Sequence, residues 1–340
     1  MTKVYVGMSG GVDSSLAAAL LVEQGYDVTG VYMKNWSQDL PGMKCPWADD
    51  LADAKRVAVQ LGIDFTVFDF EREYREKVVQ YMIDTYQEGR TPNPDIMCNQ
   101  EVKFKLFLDA ALEQGAEMIA TGHYARTENA TLLRAKDDNK DQTYFLYRVT
   151  GDALTKTIFP LGGYTKPEVR AMAKERGLYT ASKKESMGVC FVGQVGMREF
   201  LGQYVQTEPG NIIDTQTRRV IGQHDGAIFY TLGQRHGLNV GGGLPYYVVG
   251  KDMAKNEVYV STKLHDESMW KKEVTLEALH WINQPTEGEV LARVRHRAPL
   301  IPARLQGATL RLDEPQRAVT PGQSVVLYRG DECLGGGIVM

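Results

Sequence analysis

The sequence predicts an α/β protein, a doubly wound parallel sheet followed by a small middle domain and a C-terminal β-barrel-like domain. Three observations carry this. Short apolar runs alternate with helical periodicity up to about residue 200, the pattern of successive βαβ units. Past Phe200 glycines multiply and helical periodicity fades. From about Val274 the chain reads as alternating strands separated by turns. A length of 340 residues suits two or three domains, and the expected division is 1–200, 201–270 and 271–340.

Taken in order, Val4 to Met8 reads as a buried strand. The loop Ser9-Gly10-Gly11-Val12-Asp13-Ser14-Ser15 then leads into an Ala- and Leu-rich helix from about Ser14 to Gln24, closed by Gly25. Val28 to Met33 is a second strand, Asp49 to Leu61 a helix and Phe65 to Phe68 a third strand. Helices follow from Tyr74 to Glu88 and from Glu101 to Gln114, then a strand from Met118 to Thr121. Thr165-Lys166-Pro167-Glu168 has capping-box spacing and opens a helix running to about Arg176. Later β-like stretches fall at Ile228 to Thr231, Tyr246 to Val249, Glu257 to Val260, Glu289 to Arg297 and Ser324 to Arg329. There is no internal repeat and no low-complexity stretch.

Composition sets limits on function. The apolar and charged fractions, 43% and 24%, are those of globular proteins. No apolar run reaches the roughly 18 residues of a membrane span, so no membrane partner is expected. The chain enters a strand pattern at once, so no signal or transit peptide is expected. A cytoplasmic protein is expected. The net charge of −4 argues weakly against nucleic-acid binding by the molecule as a whole, so local basic clusters decide that question. The four cysteines, Cys45, Cys98, Cys190 and Cys333, are too few and too dispersed for a disulfide scaffold. None forms a C-x-x-C pair, so no metal site of the protein's own is expected. In a reducing compartment such residues are buried small hydrophobes or reactive thiols.

Three segments carry chemistry. In the first, glycines after a strand let the backbone turn tightly and approach an anion, which then meets successive N–H groups at a helix N-terminus. Ser9, Ser14 and Ser15 add hydroxyls, and Asp13 is placed to cap the helix or help hold Mg²⁺. The terminal Gly-Lys-Ser/Thr of a Walker loop is absent. In the second, Thr91-Pro92-Asn93-Pro94-Asp95-Ile96-Met97-Cys98-Asn99, two prolines rigidify the approach to a helix expected just after Cys98. A thiol there gains thiolate character from the helix dipole, and Asp95 is a candidate base. In the third, Ser186-Met187-Gly188-Val189-Cys190-Phe191-Val192-Gly193, a cysteine between glycines sits on a flexible loop. Read one at a time, the first is equally an ordinary capped turn, the second favours a structural turn with a buried cysteine, and the third is equally a strand with a buried cysteine.

The first loop resembles the SGGxDS loop of the PP-loop ATP pyrophosphatases. SGGVDSS, TPNPDIMCN and GVCFVG in that order resemble the tRNA-specific 2-thiouridylases over essentially the whole chain. Further matching features are Met33-Lys34-Asn35-Trp36, Thr121-Gly122-His123-Tyr124, Lys140-Asp141-Gln142, Gly233-Gln234-Arg235 and Pro321-Gly322-Gln323. The resemblance implies an enzyme that exchanges the O2 of the wobble uridine of tRNAs for Lys, Glu and Gln for sulfur. It implies ATP with Mg²⁺, bound through Gly7, Met8, Ser9, Gly10, Gly11, Val12, Asp13 and Ser14, with Met33 and Gly122 near the adenosine. It implies Cys190 as the persulfide carrier, Cys98 as the partner nucleophile and Asp95 beside the uracil. The Cys190 loop is then expected to fold over the site, closing when tRNA binds. tRNA contacts are implied for Asn93, Pro94, Asp95, His123, Lys140, Asp141, Gln142, Arg295, His296 and Gln323. A persulfide donor, either a cysteine desulfurase or a relay protein, and a monomeric state complete the expectation.

On a strand, alternation would place Arg293, Arg295 and Arg297 on one face as a basic row for phosphates. That leaves Arg295 and His296 pointing oppositely, an inconsistency internal to the reading. Lys183-Lys184 reads as a solvated pair. Two other readings stay open: a PP-loop amidating ligase, which has no use for either cysteine, and an RNA-binding protein with a relic nucleotide pocket.

Overall fold

The structure, a computed structural model, describes residues 1–39, 45–184, 196–238, 240–241, 245–263 and 266–340. The first part carries strands β1 (Lys3–Gly7), β2 (Asp27–Lys34), β3 (Asp64–Asp69), β4 (Met118–Thr121), β5 (Arg126–Glu128), β6 (Thr131–Leu133) and β7 (Thr157–Ile158). The middle part carries β8 (Gly210–Asp214), β9 (Val220–His224), β10 (Tyr247–Asp252) and β11 (Glu257–Ser261). The last part carries β12 (Trp270–Trp281), β13 (Gly288–Arg293), β14 (Ile301–Gln306), β15 (Thr309–Arg317), β16 (Ser324–Arg329) and β17 (Glu332–Val339).

The first sheet has the order β3-β2-β1-β4-β7, and every pairing in it is parallel. Strand order reverses between β1 and β4, and a crevice opens beyond the carboxyl ends of strands at such a switch point. β1 ends at Gly7 and β4 at Thr121, so the phosphate loop and the Gly122-His123 segment flank that crevice. Helix α1 (Val12–Glu23) has nine of its twelve residues buried. Small alanines let it lie close between two partners: Leu16 and Leu20 meet Val169 and Ala173 of the helix Lys166–Glu175, while Ala18 and Leu21 meet Val4, Val6 and Val57. Val57 belongs to α2 (Trp47–Leu61).

Two longer helices contain π-helical stretches, which periodicity alone does not reveal. One runs Glu71–Tyr74, Arg75–Val79 and Gln80–Gln87, the other Pro94–Met97, Cys98–Leu106 and Phe107–Glu113, with the middle segment π-helical in each. The second corrects the expected start after Cys98. Pro94 opens the helix, its fixed φ and missing N–H suiting the first position. Cys98 therefore lies beyond the first turn, where the dipole's influence fades.

The four-stranded middle sheet has the order β10-β11-β8-β9. Ile228 to Thr231, expected as a strand, instead begins inside a 3₁₀ turn at Ala227–Phe229. Its amides are taken by local acceptors: Tyr230 N–H donates to the Ala227 carbonyl, and Thr231 N–H to the Gln234 side chain. The last sheet, β12-β15-β14-β13-β16-β17, closes through β12–β17 into a six-stranded barrel. Its inward residues, among them Val274, Leu305, Leu312 and Leu327, form one core. The β5–β6 hairpin leaves the first part to pair with β17, Leu133 opposite Glu332.

The expected strand Glu289 to Arg297 ends at Arg293. A turn follows, closed by the Ala298 N–H donating to the Arg295 carbonyl, with Arg297 at φ 62°. No row of three arginines on one face exists.

Candidate active site

The phosphate loop is shaped by close approaches that only glycine permits. Gly10 has φ 72°, and a Cβ there would lie 2.3 Å from the Asp50 carbonyl oxygen. A Cβ on Gly122 would lie 2.7 Å from the Ser14 amide nitrogen, so the segment after β4 rests directly on the first turn of α1. The serines fix the loop from within. Ser9 N–H donates to Ser14 Oγ at 3.1 Å, Ser14 Oγ to the Gly11 carbonyl at 3.2 Å, and Ser15 Oγ to the same carbonyl at 2.8 Å. Gly7 and Met8 belong to the sheet: Gly7 pairs with Val31 and Thr121, and Met8 N–H donates to Val31. Met33, on β2, packs partly buried against the same core.

Asp13 does not cap α1, whose N-cap is Gly11 with no side-chain cap bond. Its carboxylate accepts from Lys166 Nζ at 2.7 and 2.8 Å and from the Tyr124 hydroxyl at 2.9 Å. Tyr124 is set in turn by Gln142, whose Oε1 accepts the Tyr124 N–H at 2.8 Å while its own N–H donates to the Tyr124 carbonyl. Lys183 is not a solvated residue, since its Nζ donates to Asp50 at 2.8 Å and Asp53 at 2.6 Å. Burial works against its charge, and these two hydrogen bonds outweigh it, raising its pKa.

A cleft of about 250 Å³ opens over the loop, and Ser9, Gly11, Val12 and Asp13 form part of its wall. Lys140, Gln142 and His296 line it too, joined by Arg297 of the expected basic row and by Lys184 and Phe145, which sequence reasoning did not single out as site residues. The His296 ring sits 4.5 Å from Phe145 and 6.0 Å from Tyr144. Burial, then Arg297 and Arg293, push the pKa of His296 down to about 4, so it is neutral near pH 7. A larger groove of about 690 Å³ is lined by none of the expected residues.

Other expected residues lie elsewhere. Asp141 does not face the cleft: its side chain has 0% exposure and accepts from Arg293 at 2.7 Å, from Thr143 Oγ1 and from the Ala135 N–H. Arg293 is buried with it, over the Tyr328 ring. His123 is buried between Phe104 and Phe159, its Nδ1 2.7 Å from Thr121 Oγ1 and its Nε2 3.5 Å from Lys103. Burial, with Lys103 second, holds its pKa well below the usual range. Arg295 is exposed and donates to the Arg317 carbonyl at 2.8 Å. Gln323 is half-buried in the turn before β16, and the neighbouring Pro321 carbonyl accepts the Thr91 N–H at 2.9 Å. This contact ties the barrel to the segment entering the Cys98 helix.

Asn93 is the N-cap of that helix and Pro94 its first residue. Burial raises the Asp95 pKa against the opposing Lys103, which favours a protonation equilibrium nearer neutrality than an exposed carboxylate has. Cys98 is 5% exposed and packs in a cluster with Trp36, Cys45, Tyr74, Val102 and Phe200. Cys45 and Cys333 are buried, and burial raises both thiol pKa values. Cys190 lies outside the described residues, so neither its pairing with Cys98 nor the expected closure over the site has a structural counterpart here.

Residues 2–194 match a family described as the tRNA methyl transferase HUP domain, 198–262 its PRC-barrel domain, and 271–339 an aminomethyltransferase beta-barrel domain. Over 352 residues the chain is 47% identical to the tRNA-specific 2-thiouridylase MnmA of Bacillus subtilis, covering 99% of this chain and 95% of the relative. The same enzyme of Enterococcus faecalis is 47% identical over 356 residues, with 99% and 95% covered. The chain belongs to the tRNA-specific 2-thiouridylase family. A 4-thiouridine synthetase–RNA complex with bound ATP aligns with 60% of this chain and 50% of that one, at 20% identity and a TM-score of 0.39. In this member of the 2-thiouridylase family, Lys166 and Tyr124 are the functional candidates that sequence reasoning missed. The signal available for Lys166 was its place in the capping box Thr165–Glu168, which reads as helix punctuation alone.

Proposed function

We propose that this protein thiolates tRNA at C2 of uridine, using ATP, and that it does so on the wobble base of tRNAs for Lys, Glu and Gln. The chain is an enzyme, a tRNA sulfurtransferase. The observation that carries the reading is 47% identity to 2-thiouridylases over 99% of the chain, with a phosphate loop at the sheet's switch point. One family description speaks of methyl transfer. A loop suited to polyphosphate and cysteines in two of the chain's motifs favour sulfur transfer over it, since methyl transfer needs neither.

A pyrimidine carbonyl oxygen leaves poorly. Attack of O2 on the α-phosphorus of ATP, with loss of pyrophosphate, makes that oxygen part of an AMP leaving group. The amides and hydroxyls of Ser9 to Ser15 hold the pyrophosphate. Among the described residues Asp13 is the single acid lining the cleft, and Lys166 holds its carboxylate. An Mg²⁺ ion arriving with ATP would be held beside it only as Lys166 turns to a phosphate oxygen, and would supply charge that neutralises the phosphates. Met33 and Gly122 lie near the adenosine, and Gly7 and Met8 support the loop from the sheet. Asn93, Pro94 and Asp95 receive the flipped uracil. His123 acts from behind them through its contact with Lys103. Lys140, Gln142, Arg295, His296 and Gln323 approach the anticodon arm, and Asp141 supports them from the core.

Sulfur comes as a persulfide on Cys190, delivered by a desulfurase or relay protein. In one route Cys98 attacks Cys190 Sγ, freeing sulfide, which displaces AMP. In the other the terminal persulfide sulfur attacks C2 and displaces AMP, and Cys98 then releases the thiolated base. Both leave a Cys98–Cys190 disulfide, which an external thiol reduces. The domains 1–200, 201–270 and 271–340 serve catalysis, tRNA binding and barrel support in a cytoplasmic monomer. With labelled ATP, tRNA and a persulfide donor, AMP and pyrophosphate should form in equal amounts with thiouridine. ADP and phosphate as products would contradict the adenylation.

A further inference from the structure

Lys166 is buried, its side chain 10% exposed, and its ammonium contacts both oxygens of Asp13 at 2.7 and 2.8 Å. Asp13 stands in the first turn of α1, with its side chain 32% exposed and part of it lining the cleft over the loop. An acid at the mouth of a site for polyphosphate repels the ligand unless its charge is cancelled. The structure provides for that cancellation in detail. The Lys166 Nζ also lies 5.7 Å from the centre of the Tyr124 ring, whose hydroxyl holds Asp13 Oδ1. The backbone of Lys166 is anchored by its N–H donating to Asp137 at 2.8 Å, and the capping box of Thr165 and Glu168 fixes the helix start. A long flexible side chain is thus launched from a rigid base toward one carboxylate, with the phosphate loop next to it.

We propose that Lys166 is the positioning counter-ion of the phosphate loop. It neutralises Asp13 while the loop is empty and is shared with a phosphate oxygen when a pyrophosphate group enters. Tyr124 keeps Asp13 in place during that exchange, and Gln142 keeps Tyr124 in place, which extends the site from residue 13 to residue 166. The inference rests on the polyphosphate reading of the loop and deepens it. It accounts for a buried lysine that the motif at Ser9 to Ser15 does not contain, in a loop lacking the Walker lysine.

The test is pyrophosphate binding by titration calorimetry to the full chain, independent of any thiolation. Lys166→Met should raise the pyrophosphate Kd at least tenfold, and Lys166→Arg should recover most of that loss. In the double variant Lys166→Met/Asp13→Asn, affinity should return part of the way, because the uncompensated carboxylate is gone. A structural role alone would not produce that rescue. Equal pyrophosphate affinity in wild type and Lys166→Met overturns the proposal, as does a folded Lys166→Met protein whose loss Asp13→Asn leaves unchanged or deepens. Wild-type protein that binds pyrophosphate in this way yet fails to thiolate tRNA would count against the reaction and leave the counter-ion role standing.

Discussion

Asp141 and Arg293 show how a residue's role can differ from its motif. Both sat in segments read as RNA contacts, and together they form a buried pair 152 positions apart in sequence. Removing one partner of such a pair strands the other charge, at a cost of about 3–5 kcal/mol. Asp141→Ala should lower unfolding free energy by that amount in urea titration. It also leaves the Ala135 and Thr143 donors unmatched. A loss below about 1 kcal/mol, the range of surface ion pairs, would mean that Asp141 is not the buried anchor described. Alternation along a strand could not have revealed this, because the strand stops at Arg293. The two halves of the pair are local neighbours only after folding. Lys183 carries the same lesson, since its partners Asp50 and Asp53 lie on α2.

Elements were most legible where composition and glycine punctuation bounded a regular run. α1 spans Val12–Glu23 against an expectation of Ser14 to Gln24, and β4 falls on the expected residues. Legibility failed where backbone geometry departs from a regular period. The π-helical stretch at Cys98–Leu106 is one case, and such stretches often accompany functional positions. The turn at Ile228 is another, because the Ala227 carbonyl and the Gln234 side chain take the amides of Tyr230 and Thr231. Where β4 meets α1 the packing leaves no room for a side chain, and this yields an element-scale prediction. An added methyl at Gly122 meets backbone atoms of Asp13 and Ser14 at 2.9 and 2.7 Å. Gly122→Ala should therefore displace the start of α1 and raise the KM for ATP by about tenfold, small misplacements at reacting groups being costly. An unchanged KM would show that the phosphate loop tolerates this displacement.

At the scale of the molecule, the parallel sheet and the barrel share a framework. The β5–β6 hairpin extends the barrel sheet, Arg90 pairs with Glu277, and the Tyr144 hydroxyl donates to the Ser324 carbonyl at 2.8 Å. The cleft is consequently composite: its floor is the phosphate loop, and His296 and Arg297 come from the barrel. Composition and periodicity foretold an α/β sheet and a β-rich end. The composite wall was legible only through the family's motifs, because its parts lie some 280 residues apart in a chain of 340. The most direct measurement is nucleoside mass spectrometry on unmodified tRNA for Glu incubated with the protein, ATP, Mg²⁺ and a sulfide source. The account predicts a uridine heavier by the difference between sulfur and oxygen, dependent on ATP and lost in Cys98→Ser. No thiolated nucleoside, even with a desulfurase and cysteine supplied, would contradict it.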